Sequence, residues 1–199
     1  MHLAELPAPD SEAARASFQI AERYYSPALL NHCIRSYYFA AAAGLEQGLP
    51  FDPELLYVAS ILHDLGLTEP FDSHTMPFEA AGGQVAWVFA AGAGWATERR
   101  DRVSEVIVRH MGDPVDPLLD AESHLLEIAT GLDIVGRNSE LWPRDLLREV
   151  LRAYPRLDIA VEFADRFDEQ AIRKPTSAAA FAVRSGIRAR LAGNELKHD

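Results

Sequence analysis

The chain has 199 residues, a formal net charge of -11, 48% hydrophobic and 25% charged residues, and a single cysteine. Those values describe an ordinary globular chain long enough for a real core, and they exclude an intrachain disulfide framework. The acidic balance argues against nucleic acid or an anionic membrane as partner, because both need a basic surface.

Met1–Pro7 has neither a basic nor an apolar leader pattern, so a cytoplasmic setting is expected. Helices are expected over 10–25 and 27–43, the second opened by Ser26-Pro27, a capping side chain before a first-turn proline. In that second helix His32 shares a face with Ala28, Arg35, Ser36 and Phe39, and Cys33 reads as a small core residue. Asp52-Pro53 opens a helix over 53–66, whose stripe Leu55, Ala59, Leu62 leads into His63-Asp64 and Gly66. The uncharged run 80–97 is rich in glycine and alanine; it reads as a buried, closely packed helix over 77–91 rather than a membrane span.

Further helices are expected over 98–110, 120–135, 144–153, 156–172 and 177–191. Val103, Val106, Ile107 and His110 fall at i, i+3, i+4 and i+7, so His110 ends an inward-facing stripe. Leu126, Ala129 and Asp133 form another, closed by Gly136. The loops 67–77 and 111–117, just after His63-Asp64 and His110, are placed to shape a pocket mouth, with His74 a weak candidate for its lining. No stretch alternates long enough for a sheet. The expectation is an all-α, single-domain helical bundle over 1–199, with a metal-binding core at about 26–136 and C-terminal helices at about 143–191.

Ionisable groups on apolar helix faces are costly unless paired or metal-bound. One such histidine is most often a hydrogen-bonded core residue. The order His32, His63-Asp64, Asp133 is different, because together it supplies the nitrogen and oxygen donors of a divalent metal, projected from three helices.

These residues resemble the HD-domain superfamily of metal-dependent hydrolases, and within it the cyanamide hydratase branch. The similarity is carried by Ser26-Pro27 through Asn31-His32 with Arg35 and Tyr38, by Leu62–Gly66, by Met76–Glu79 with Gly82-Gly83, by Val106–His110 and by Ile128–Asp133 with Val135-Gly136. The resemblance implies one divalent transition metal, zinc first with iron or manganese as alternatives, held by His32, His63, Asp64 and Asp133. It implies catalytic roles for His110 and Asp64, and substrate contacts at Leu67, Thr68, Glu79 and Ile134. Leu67 stands where fungal members have a small hydroxyl residue, and Ile134 where they tend to have asparagine.

The activity implied is hydration of cyanamide or a related small nitrile to urea or an amide. The alternative is a phosphohydrolase acting on a nucleotide or other phosphoester. It would need cationic groups, yet only Lys174 and Lys197 are lysines, so Arg35 and Arg109 would have to substitute. A third reading is a binding module with a vestigial metal site. Whether the chain forms a homo-oligomer is left open, as is whether Trp87, Trp95 and Trp142 belong to core or interface.

Overall fold

A computed structural model describes residues 1–198, with Asp199 and the side chains of Lys197 and His198 outside the described set. Among these residues ten α-helices run α1 Glu12–Tyr24, α2 Pro27–Glu46, α3 Pro53–Leu62, α4 Phe78–Gly92 and α5 Thr97–Arg109. They continue with α6 Ala121–Val135, α7 Arg144–Ala153, α8 Ile159–Arg173, α9 Ala178–Arg184 and α10 Ile187–Ala192. No strand occurs among the described residues, so the all-α expectation holds. Among the described residues no helix is long and apolar enough to cross a membrane.

The starts follow local chemistry. Ser11, Ser26, Asp52, Asp120 and Ser177 each accept a backbone N–H from the first turn that they open. α2 lies at the centre, packed on α3, α6 and α8, and buries most of its length, including Leu29, Phe39 and Ala40. α4 and α5 form an antiparallel pair, and α8 to α10 cover the end of α2 and α6 nearest the histidines. Trp95 and Trp142 are core residues, Trp142 donating to the Phe39 carbonyl at 2.9 Å, while half-buried Trp87 donates to Asp101.

Helix α2 runs three residues beyond the expected 43, to Glu46, and three other departures from expectation have a physical reason on view. The helix expected to reach residue 66 stops at Leu62, and a 3-10 turn, Leu65–Leu67, follows. A Cβ on Gly66 would overlap the Phe78 carbonyl, so the chain turns where the start of α4 meets it. Helix α8 begins at Ile159, three residues late. Leu157 takes a left-handed φ of 52°, and Arg156 before it reaches across to Asp133. The last expected helix is split by Gly186, φ 79°, into α9 and α10.

Candidate metal centre

The break after α3 places His63 at the helix end and Asp64 just past it, both fully buried. His32, from the second turn of α2, is fully buried opposite them. Each ring has one nitrogen committed. His63 Nδ1 lies 2.7 Å from the Ser60 carbonyl, and a carbonyl can only accept, so Nδ1 carries the proton. His32 Nδ1 likewise lies 2.7 Å from Asp133 Oδ2. In the neutral rings both Nε2 atoms therefore carry lone pairs, and they face each other at 3.2 Å. Asp64 Oδ2 completes the triangle, 3.4 Å from His32 Nε2 and 3.2 Å from His63 Nε2.

Three lone-pair donors pointing at one another repel unless positive charge lies among them, and this trio is spaced to hold a metal ion. Neither Asp64 oxygen has a hydrogen-bond partner, although both are buried, a cost that a bound ion would remove. The spacing also fits: donors about 2.0–2.1 Å from a tetrahedral ion lie roughly 3.3–3.4 Å apart. Burial alone would lift the Asp64 carboxyl; with a proton in place of an ion, positive charge at the adjacent imidazoles, His63 first, outweighs burial and holds the group well below the ordinary range. A divalent cation would act in the same direction.

Asp133 is not in this group of three. Its carboxylate sits behind His32, on Nδ1, and takes a two-pronged contact from Arg35, Nε to Oδ1 at 2.7 Å and a terminal nitrogen to Oδ2 at 2.7 Å. Arg156 adds a bond to Oδ1 at 3.1 Å and another to the Asp133 carbonyl. Asn194 caps the same carbonyl at 2.9 Å. Both Asp133 oxygens are thus hydrogen-bonded, one of them to the His32 ring, and a carboxylate on a histidine's second nitrogen fixes tautomer and ring direction. Burial pushes His32 down, but the Asp133 and Asp64 carboxylates outweigh it and raise its pKa.

His110, at the end of α5, packs edge-on to His63 with ring centroids 4.8 Å apart, and Nδ1 lies 2.5 Å from the Ile107 carbonyl. Its Nε2 is thus an acceptor too. Burial, reinforced by the charge at His63, pushes its pKa down to about 3.

His32, His63 and His110 line a cavity of about 180 Å³. Phe163 and Phe167 of α8, Ile134, Val135 and Ile187 give it apolar walls, and Met111, Thr130, Arg137 and Arg190 complete it. Of the expected substrate contacts, Ile134 lines this space, whereas Leu67, Thr68 and Glu79 do not. Thr68 turns its hydroxyl to the Leu65 carbonyl at 2.7 Å, the Leu67 side chain is buried in the core, and Glu79 is buried in the first turn of α4. His74 is exposed and away from the lining. The two arginines expected to serve a phosphate are engaged elsewhere: Arg35 with Asp133, and Arg109 with Glu105 on the surface. Phe163, Phe167, Arg137 and Arg190 carried no signal in the sequence, because helix periodicity cannot tell a core face from a cavity wall. Cys33 is buried, and burial pushes its thiol well up, as a core cysteine requires.

The HD domain family model matches residues 29–170, and the chain belongs to that family of metal-binding, all-helical proteins. It is 33% identical over 177 residues to cyanamide hydratase DDI2 of Saccharomyces cerevisiae, covering 86% of this chain and 78% of the relative. The match to cyanamide hydratase DDI3 of the same organism has the same identity and coverage. Family and relatives together support an enzyme of the HD hydrolase and hydratase kind.

Proposed function

We propose that this chain is a metal-dependent hydratase that adds water to cyanamide or a related small nitrile, giving urea or an amide. The observation that carries the reading is the convergence of His32 Nε2, His63 Nε2 and Asp64 Oδ2, beside His110, where the three histidines line a cavity of about 180 Å³. A cavity of about 150 Å³ accommodates benzene, so this one suits a molecule of a few heavy atoms. Similarity to two cyanamide hydratases supports the same substrate class.

His32, His63 and Asp64 would hold the ion, zinc first, with iron or manganese compatible with the mixed donors. When bound, such an ion lowers the pKa of a water from 15.7 to about 7 and polarises the substrate. His110, neutral and with Nε2 free, takes the proton that leaves water as oxygen bonds to the nitrile carbon. It then returns that proton to the nitrogen, so water is added and nothing is released. Asp133 holds His32 in register, and Ile134 forms part of the substrate wall. The enzyme is read as cytoplasmic and acting on a small molecule.

One observation favours a second reading, phosphoester hydrolysis: Arg137 and Arg190 both line the cavity. Product analysis separates the two. Urea or amide formed from cyanamide or a small nitrile supports the hydratase. Inorganic phosphate released from a nucleotide, with no reaction on any nitrile, overturns it.

A further inference from the structure

Arg137, although its side chain is 45% exposed, is anchored through both its backbone and its guanidinium. Helix α6 ends at Gly136, whose φ of 71° turns the chain back, and the Arg137 N–H reaches the Gly131 carbonyl at 3.3 Å. The guanidinium then lies against α6 in the space that a Cβ on Gly131 would occupy. Glu127 fixes it there, with an ion pair of 2.7 Å. Its charge is compensated, but a planar group of N–H donors remains, and Arg137 lines the same cavity as the three histidines.

We infer that Arg137 is a substrate-binding residue that donates to the substrate nitrogen on which negative charge accumulates as water adds, with Glu127 and Gly131 as its positioning residues. This rests on the hydratase reading. When oxygen bonds to a nitrile carbon, an electron pair moves onto nitrogen before a proton arrives. A donor fixed in advance stabilises that charge without reorganising. The site would accordingly select short, linear molecules that offer a nitrogen or oxygen acceptor. The apolar lining of Ile134, Phe163, Phe167 and Ile187 leaves such a molecule few other polar partners.

The test pairs binding with turnover, using metal-loaded protein and azide, a linear triatomic anion, as the probe. Arg137→Met should weaken azide binding at least about tenfold by calorimetry, and lower kcat on cyanamide by about 10² to 10³, as loss of one such donor does, with KM moving less. Gly131→Ala, which displaces the guanidinium without removing it, should shift both readouts the same way. Guanidinium ion should restore part of the turnover lost in Arg137→Ala. Azide affinity and kcat of Arg137→Met both within twofold of the parent would overturn the inference and leave the hydratase reading standing. If the parent binds azide yet hydrates no nitrile, the hydratase reading falls, and with it the role of Arg137 in hydration. A loaded parent that neither binds azide nor hydrates a nitrile overturns both.

Discussion

His32 and His63 present their Nε2 atoms to each other at 3.2 Å while each ring's Nδ1 is spoken for by an oxygen acceptor, Asp133 in one case and the Ser60 carbonyl in the other. Two lone pairs at that distance repel unless a proton or a cation lies between them. The unpartnered Asp64 carboxylate beside them selects a cation. Everything proposed about chemistry grows from this contact.

Its direct consequence is stoichiometric. Purified protein should carry about one equivalent of a divalent transition metal, the number that three donors plus an open position can hold. His63→Ala and Asp64→Ala each remove one corner of the triangle, so both should lose metal and turnover together. Elemental analysis of the three proteins checks this. A His63→Ala protein with full metal occupancy would refute the site.

Asp133 separates two roles that the sequence merged. If it orients His32, Asp133→Asn should cost about 10- to 100-fold in metal affinity, the range for losing the partner of a ligating histidine. It should also destabilise the fold by about 3–5 kcal/mol, because the buried guanidiniums of Arg35 and Arg156 lose their counter-charge. Metal titration and denaturant unfolding on one preparation give both numbers. A far larger loss of metal with stability unchanged would make Asp133 a direct ligand.

The difference at Asp133 shows what the sequence could and could not disclose. The inward stripe Leu126, Ala129, Asp133 was legible because helix periodicity reports which face is buried. Which atom meets which is a matter of rotamers, and here the competing partners came from far away in the chain: Arg156 precedes a left-handed Leu157, and Asn194 lies beyond α10. The helices were legible for the same reason as their caps, Ser26-Pro27 and Asp52-Pro53 being local chemistry. The break at His63 was not, because it depends on Gly66 meeting Phe78. Leu67 and Thr68 adjoin the motif in sequence, but the 3-10 turn carries them into the core, whereas Phe163 and Phe167 reach the cavity from a helix 100 residues on.

His110 should behave as a proton carrier and not as a ligand. With Nδ1 tied to Ile107 and its pKa pushed down by burial, it rests neutral with an acceptor facing the cavity. His110→Gln should therefore retain the metal yet lose about 10² to 10⁴ in kcat, the span of general acid–base catalysis. Loss of metal from that variant would assign His110 to the coordination shell and favour a two-metal centre.

The last prediction concerns how the 67–77 loop, next to the motif, is tethered. Asp72 accepts from Gln170 at 3.0 Å and from the buried Lys174 ammonium at 2.9 Å, and Arg173 pairs with its other oxygen. Burial alone would lift the Asp72 carboxyl, but Gln170, Lys174 and Arg173 outweigh it and hold it below its ordinary 3.8. The sign follows from linkage: in the window between 3.8 and the lower folded value the unfolded chain binds the proton more tightly, so the contribution is complete above that window and is lost as pH falls through it. Asp72→Asn should destabilise the protein at pH 7 by about 1–3 kcal/mol, chiefly by leaving the Lys174 charge short of a partner. The gap between parent and variant should shrink as pH drops below about 4. Urea unfolding of both proteins at pH 7, 5 and 3.5 measures it. A gap that stays constant across that range would mean that the tether works through shape and not through charge.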